Sequence, residues 1–269
     1  MKKTVLVLIT FALVTAVAGS GFWLVHYFID SWEQRQTYEN LAEEFVLEST
    51  PSVRPENSSS LDSSLDAGEN DVSSPVESPD TPPRHDLAAL AAENPDCAGW
   101  LTIPDAGIDY PVMHTPDDPE HYLRRDFYGE SASGGTPFLD GRNLAEAENQ
   151  NLILYGHNMM DGSMFKPLIS YLEPSFQETH KEIYLELSEK QYRYELMTVL
   201  ETNTQCSLYR YTDLSDPAEE SDFRAALLKE TELEVVHQAP GYLTLSTCNN
   251  GGGSSRVLVI AALAGEVSQ

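Results

Sequence analysis

The sequence has few basic residues and few cysteines for its length. Among 269 residues there are 16 Lys or Arg against 43 Asp or Glu, which gives a formal net charge of −27. Nucleic-acid-binding proteins cluster Lys and Arg on one surface, so no nucleic-acid partner is expected. The cysteines, Cys97, Cys206 and Cys248, allow at most one disulfide within the chain, which excludes a disulfide-stapled module. A bridge between Cys97 and Cys206 is one possibility, and at least one thiol stays free.

The sequence also lacks the usual motifs for metals and nucleotides. No pair of histidines has metal-ligand spacing beside cysteines or acids, so no zinc site is predicted. The glycine run 251–253 lacks the Lys-Ser/Thr of a phosphate-binding loop, and no helical pattern follows it. We therefore expect a protein that works without a cofactor.

The N-terminus contains the one long apolar run. Lys2 and Lys3 precede an uncharged stretch, residues 4–29, and acids begin at Asp30. This length spans a bilayer, and the flanking charges place the N-terminus in the cytoplasm and the rest of the chain outside the cell membrane. A cleaved signal peptide ending near residues 16–18 is the alternative. The apolar run continues beyond that point, so residues 1–29 are interpreted as a cytoplasmic tip and a retained transmembrane signal anchor.

Composition divides the remainder of the chain into three parts. Residues 30–47 place apolar side chains at near-helical spacing and predict a juxtamembrane helix. Residues 48–85 are rich in Ser, Pro, Asp and Glu, a composition that cannot bury enough apolar surface to fold. This stretch is predicted to be a disordered acidic linker that holds the folded domain off the membrane. Residues 86–269 are predicted to form the folded domain.

The folded part is predicted to be mainly β with inserted helices. Helices are expected over 87–93, where Asp86 is a suitable N-cap, over 163–171 and over 218–229. About eight strands separated by such helices favour a mixed or antiparallel barrel over alternating βαβ units. The expected strands cover 99–103, 108–113, 136–140, 151–155, 183–187, 191–200, 242–246 and 257–263.

Polar residues with catalytic potential stand at the ends of predicted strands. Cys248 ends one strand, Arg256 begins the next, and His157 follows the strand 151–155. A thiolate nucleophile needs a nearby proton acceptor, which a histidine supplies, and an acyl-transfer intermediate needs a donor for its oxyanion, which an arginine supplies. Spacing alone does not show that the three residues meet, so each also has a purely structural interpretation. Cys248 would be a small buried thiol, His157 a surface histidine and Arg256 an arginine that flanks a strand.

Several separated motifs resemble the sortases. Residues 244–248, Thr-Leu-Ser-Thr-Cys, followed by Arg256 are similar to the T-L-x-T-C…R pattern of that family. The segment Tyr-Gly-His-Asn-Met at 155–159, followed by Asp-Gly-Ser-Met-Phe at 161–165, resembles the histidine segment of class B sortases. The similarity spans about residues 86–264. It also includes Asn94-Pro95-Asp96, Gly99-Trp100-Leu101, Ile103-Pro104, residues 108–112, Tyr122-Leu123, Asp126-Phe127 and the helix-bearing insertion between Leu200 and Tyr242.

The resemblance implies an eight-stranded sortase β-barrel with an N-terminal helical extension. It implies a membrane-anchored cysteine transpeptidase that cleaves the C-terminal sorting signal of exported proteins and attaches them to a Gram-positive cell wall. By this match Cys248 is the nucleophile, His157 transfers the proton, and Arg256 holds the substrate and the oxyanion. The acceptor is an amine of a peptidoglycan precursor or of a pilin. Leu123, Ser246 and Thr247 are candidates for the substrate groove, with ordinary barrel packing as the alternative.

One departure and two alternatives accompany the resemblance. Class B relatives often carry an acid shortly before the arginine, whereas this chain has Ser254 and Ser255 there. A pilin-polymerising sortase would differ only in its acceptor amine. An inactive wall-binding barrel would have lost the catalytic residues, which this sequence retains.

Overall fold

The β-strands form one closed barrel. The computed structural model describes residues 2–47, 81–231, 233–249 and 253–267. The strands are β1 Cys97–Ile103, β2 Ile108–Met113, β3 Phe138–Leu139, β4 Asn151–Tyr155, β5 Glu182–Leu187, β6 Lys190–Asn203, β7 Tyr242–Cys248 and β8 Ser255–Glu266. They follow the order β1-β2-β3-β4-β7-β8-β6-β5 around the barrel. The β2–β3 and β4–β7 pairs are parallel and the others are antiparallel. The eight-stranded barrel predicted from the sequence is confirmed.

In the described part of the chain, two helices precede the barrel, and the others lie in the connections between its strands. They are α1 Lys2–Glu44, α2 Leu87–Glu93, α3 Pro174–Thr179 and α4 Pro217–Glu230, with 3₁₀ helices at His121–Arg124, Lys166–Leu172 and Ser207–Arg210. Asp86 caps α2 as predicted, because its carboxylate accepts from the Ala89 N–H at 2.9 Å. The helix expected over 163–171 is instead a 3₁₀ helix that begins at Lys166. Met164 has a φ of 56°, outside the right-handed helical region, so a regular helix does not extend back to residue 163.

Two apolar layers lie on the two sides of the barrel wall. Strand alternation directs Leu243 and Leu245 of β7 into the main core, which fills the barrel. Tyr242 of β7, with Leu258 and Ile260 of β8, points outward into a second core. Phe223 and Leu227 of α4 cover this outer layer. The insertion between β6 and β7 therefore packs on the outer face of β7 and β8.

Helix α1 combines an apolar N-terminal part with a part that packs on the barrel. From Thr10 onward it is long and apolar enough to cross a membrane, by length and composition. Further along, Tyr38 and Leu41 are each 1% exposed and belong to the main core. The predicted anchor and the predicted juxtamembrane helix thus form one continuous helix, and its second part is integral to the folded domain.

The chain before α2 meets the end of α1 beside the barrel. The Leu47 N–H donates to the Arg84 carbonyl at 2.7 Å, and Val46 forms a β-bridge with His85. Residues 48–80 of the predicted linker lie outside the described residues. Those at 81–85 lie against the barrel, where the Gln191 amide donates to the Pro82 carbonyl at 3.2 Å. Both flanks of the linker therefore meet beside the barrel, where the C-terminal part of α1 packs on the folded domain, and the linker itself stays a prediction.

Candidate active site

Three adjacent strand ends bring His157, Cys248 and Arg256 to one edge of the barrel. In the parallel β4–β7 pair, Tyr155 lies opposite Ser246, so the chain continues two residues further to His157 on one strand and Cys248 on the other. In the antiparallel β7–β8 pair, Cys248 lies directly opposite Arg256. Neighbouring strands lie about 4.8 Å apart, so the three positions are close together although they are distant in sequence.

Cys248 and Arg256 also share the outer face of the barrel. Alternation from Tyr242 along β7 and from Leu258 along β8 directs both side chains outward. The same face carries Tyr209 from the 3₁₀ helix Ser207–Arg210. Its hydroxyl lies 2.7 Å from Ser246 Oγ, and Ser246 precedes Cys248 by two positions on the same face. The outer face of β7 and β8 thus carries the Cys248 thiol and the Arg256 guanidinium, and the Tyr209 phenol lies against it at Ser246.

His157 is half-buried and bonded to a backbone carbonyl. Its Nε2 lies 2.9 Å from the Leu123 oxygen. Because a carbonyl only accepts hydrogen bonds, Nε2 must carry a proton, and in the neutral ring Nδ1 is then the basic nitrogen. Burial lowers the pKa of His157; the hydrogen bond to Leu123 opposes this, and the positive charge of Arg124 adds to it. The imidazole is therefore neutral at neutral pH and able to accept a proton at Nδ1.

The environment of Cys248 differs from that of the other thiols. All three cysteines are free, so the bridge between Cys97 and Cys206 that the sequence left open is not formed. Cys97 and Cys206 are buried, and burial raises the pKa of Cys97 to about 12. Cys248 alone is half-exposed, at the barrel edge. Its backbone carbonyl accepts from the Asn158 side-chain amide at 2.8 Å, which ties the segment after His157 to the end of β7.

Arg256 lies at the start of β8 with its guanidinium turned back over the β7–β8 connection. Its Nη1 donates to the Gly253 carbonyl at 3.1 Å and to the Ser255 carbonyl at 2.8 Å. Burial raises the pKa of Tyr209, and the positive charge of Arg256 opposes this shift. The guanidinium is thus near enough to the outer face of β7 to act on groups there, as an oxyanion holder must.

The candidates for the substrate groove occupy positions around these residues. Ser246 and Thr247 are each 2% exposed. Ser246 is bonded to Tyr209, and the Thr247 hydroxyl donates to the Gly156 carbonyl at 2.9 Å. Leu123 is half-buried and supplies the carbonyl that holds His157. Direct contact of these side chains with a substrate stays a prediction, while their contacts within the protein hold the strand ends in place.

A cavity lies beside Leu123, the residue whose carbonyl bonds His157. A cavity of about 330 Å³ is lined by Leu123 together with Glu120, His121, Arg124, Arg125 and Ser131. Since the Leu123 carbonyl holds the imidazole, this cavity adjoins the candidate catalytic edge. Among the described residues, no group of three or more His, Cys, Asp or Glu side chains is arranged to hold a metal ion.

Sequence reasoning did not identify several neighbours of the site. Tyr209 lies in the insertion, where no spacing links it to β7, and only the packed structure brings it to Ser246. Asn158 belongs to the histidine motif, but its hydrogen bond to the Cys248 carbonyl depends on the pairing of β4 and β7. An acid also approaches the edge from β6: Glu201 accepts from the Asn249 side chain at 2.6 Å. The segment before Arg256 has no carboxylate, but Glu201 of β6, the strand beside β8, brings one to Asn249, the residue that follows Cys248.

Sequence comparison relates the chain to one enzyme family. The Sortase domain model matches residues 101–264. Sortase B of Listeria monocytogenes is 37% identical over 172 residues, covering 62% of this chain and 68% of that protein. Sortase B of Staphylococcus aureus is 26% identical over 273 residues, covering 97% of each chain.

Solved structures agree with the sequence comparison. Sortase B of Bacillus anthracis in complex with AAEK1 has a TM-score of 0.64 and 27% identity, covering 88% of this chain and 98% of that chain. The substrate complex of S. aureus sortase B has a TM-score of 0.59 and 29% identity, covering 68% of this chain and 85% of that chain. The range matched by the Sortase domain model, residues 101–264, includes His157, Cys248 and Arg256.

Proposed function

Because the chain belongs to the sortase family and, within it, to class B, a class of cysteine transpeptidases, we propose that it cleaves a C-terminal sorting signal through a thioester on Cys248. The observation that supports this mechanism is the register of β4, β7 and β8, which places His157, Cys248 and Arg256 at one barrel edge. A nucleophile, a proton carrier and an oxyanion donor are the groups that acyl transfer needs.

The first half-reaction forms the acyl-enzyme. The Cys248 thiol transfers its proton to Nδ1 of His157, and the sulfur attacks the carbonyl carbon of the scissile peptide bond. A carbon–sulfur bond forms while the carbon–nitrogen bond breaks, and His157 gives its proton to the leaving amine. The hydrogen bond from Nε2 to the Leu123 carbonyl keeps Nδ1 available as the reacting nitrogen.

The second half-reaction transfers the acyl group. An incoming amine attacks the thioester carbonyl and loses a proton to His157, and the cysteine sulfur leaves and is protonated again. The thioester conserves the energy of the cleaved peptide bond, so no nucleotide is consumed. In both steps Arg256 stabilises the negative charge on the carbonyl oxygen through its guanidinium N–H groups.

The substrates and the location follow from the same proposal. The donor is an exported protein with a sorting signal, and the solved substrate complex of the similar S. aureus sortase B supports a substrate site in this chain. The acceptor is an amine of a peptidoglycan precursor. Helix α1 anchors the enzyme in the cell membrane with its N-terminus in the cytoplasm and the barrel outside.

A mass measurement tests the covalent step. The full-length chain in detergent is incubated with a library of peptides that contain Pro-x-Thr signals, and the intact mass is recorded after acid quenching. We expect an acyl adduct that maps to Cys248, is absent from Cys248→Ala and persists in Cys97→Ala, because Cys97 is buried away from the edge. An adduct that survives in Cys248→Ala, or no adduct on the parent protein with any peptide, would contradict the mechanism.

A further inference from the structure

The loop after His157 closes on itself. Residues 158–164 run from the histidine to the 3₁₀ helix at Lys166–Leu172. Asn158 forms a β-bridge with Met164, and the Phe165 N–H donates to the His157 carbonyl at 2.8 Å. The two ends of the loop are therefore bonded together at the histidine, and these bonds join the loop to the His157 backbone.

The tip of this loop is held by helix α1. Asp161 is the residue at the contact, and its side chain is only 10% exposed. The Ser31 hydroxyl donates to Oδ2 of Asp161. The Arg35 guanidinium lies 3.8 Å from the same oxygen and donates to the Asp161 carbonyl at 3.3 Å. The Tyr27 hydroxyl accepts from the Met160 N–H at 3.3 Å, so three turns of α1 contact two adjacent loop residues.

Asp161 links the helix to the loop interior through its second oxygen. Oδ1 accepts from the Ser163 N–H at 3.1 Å and from the Ser163 hydroxyl at 2.7 Å. Burial acts to raise the pKa of Asp161, but the hydrogen bonds from Ser31 and Ser163 and the charge of Arg35 outweigh it and lower the pKa. The Asp161 side chain is therefore an ionised carboxylate, and both of its oxygens accept hydrogen bonds. Hydrogen bonds to an ionised group are stronger than those between neutral groups.

The same helix also supports the carbonyl that holds the imidazole. The Gln34 amide and the Tyr38 hydroxyl donate to the Gly135 carbonyl at 2.7 Å and 2.9 Å. Gly135 has a φ of 60°, and a Cβ at this position would lie 2.4 Å from the Leu123 oxygen. The Leu123 carbonyl, which bonds His157 Nε2, is thus in close contact with a backbone segment that α1 fixes.

We propose that residues 27–38 of α1 position His157 for catalysis, with Asp161 as the positioning residue through which the helix acts on the histidine loop. The helix contacts the supports of His157 from two directions, the loop tip at Asp161 and the Leu123 carbonyl through Gly135. The apolar stretch that begins at Thr10 belongs to the same helix, so the membrane anchor and the catalytic edge form one continuous structural unit. This inference rests on the proposed role of His157.

The test uses the full-length chain in lipid nanodiscs. The variants are Ser31→Ala, Asp161→Ala, their double variant and Asp161→Asn, which keeps one oxygen acceptor. Asn40→Ala is the matched control, because Asn40 is an exposed residue of the same helix. The readouts are kcat and KM for a cleavable signal peptide, the melting temperature, and the pH dependence of Cys248 alkylation by iodoacetamide, with His157→Gln as the reference profile.

The expected result separates positioning from a loss of folding. Asp161→Ala should lower kcat about 10- to 100-fold with KM little changed, since small displacements of a reacting group have effects of this size. Its alkylation profile should shift towards that of His157→Gln. Asp161→Asn should recover part of the loss, Ser31→Ala should add little to Asp161→Ala, and Asn40→Ala should match the parent.

Two results would overturn the inference. One is an Asp161→Ala protein with parental kcat and a parental alkylation profile. The other is a set of variants in which kcat falls in proportion to the melting temperature, while the pH profile of Cys248 alkylation stays that of the parent. Alkylation needs no peptide substrate, so the profiles remain informative even if the parent protein cleaves none of the peptides, which would count against the proposed function alone.

Discussion

Two histidines on opposite sides of the barrel show how the same side chain serves different purposes. His85, beside β1 and β5, is 3% exposed and lies with Nδ1 2.8 Å from Glu186 Oε1. Its ring stacks on Trp100 with 4.0 Å between the ring centroids. His157, beside β4 and β7, is half-buried and is bonded to a single backbone carbonyl.

The difference lies in what remains available for chemistry. The carboxylate of Glu186 engages both the ring of His85 and its backbone N–H, the latter at 2.8 Å. This pair closes the junction between the end of α1 and the barrel, where Val46 bridges to His85. Among the described residues His157 has no carboxylate partner, and its Nδ1 is left free of the Leu123 hydrogen bond at the barrel edge where Cys248 ends β7. We therefore propose that His85 serves stability and that His157 serves catalysis.

Replacing His157 should have the largest effect on activity. We expect His157→Gln to lower turnover of a signal peptide by about 10²–10⁴-fold, because a positioned proton carrier contributes a factor of this order. The melting temperature should stay close to that of the parent, since only one hydrogen bond to Leu123 changes. His85→Gln should show the reverse pattern, with lower thermal stability and retained turnover in the folded fraction. Equal effects of both replacements on turnover and melting would refute the assignment.

Removing Glu186 should produce the largest loss of stability. Glu186→Ala leaves both the buried His85 ring and its N–H without their acceptor, and each unsatisfied buried donor costs about 1–3 kcal/mol of unfolding free energy. Chemical denaturation of the full-length chain, followed by tryptophan fluorescence, measures this change. The exposed Glu189, on the adjacent turn, supplies a control through Glu189→Ala. Similar midpoints for the two variants would contradict a stabilising role for the His85 pair.

A smaller change tests how β7 and the histidine segment are joined. Thr247→Val keeps the shape of the side chain but leaves the Gly156 carbonyl without its donor, which should cost about 1–3 kcal/mol of stability. If the Thr247 hydroxyl acts by holding this segment in place, kcat falls and KM is unchanged. If the side chain contacts the substrate instead, KM rises. Steady-state kinetics with a cleavable peptide distinguishes the two outcomes.

The smallest expected effect is on the pH dependence of stability, which should reflect the pKa of His157 that burial lowers. The pKa of His157 is lowered in the folded protein from its usual 6.5, so between these two values the unfolded chain binds more protons. The free energy of unfolding should therefore decrease as pH falls through this window, and His157→Gln should flatten the dependence. His114, whose pKa is also lowered by burial, contributes a slope of the same sign and is present in both proteins. A slope unchanged by the substitution would contradict the burial argument.

Local structure and the family motifs could be predicted from the sequence. The packing between segments that are distant in the sequence could not. The strands at 108–113 and 151–155 are predicted with the bounds that the structure has, because their apolar and β-branched residues favour extended chain locally. His157, Cys248 and Arg256 stand out through short motifs. Tyr209, Tyr38 and Asp161 do not, because their roles depend on contacts across the fold that local spacing does not encode. Packing of α1 on the barrel is a tertiary property of the same kind.

The convergence of His157 and Cys248 can be measured directly by cross-linking. Dibromoacetone first alkylates a reactive thiol and then bridges it to a nucleophile within a few ångströms. With the full-length chain in nanodiscs, peptide mapping should find a bridge between Cys248 and His157, and His157→Gln should retain only mono-alkylated Cys248. A bridge from Cys248 to another residue, or mono-alkylation alone in the parent protein, would contradict the account.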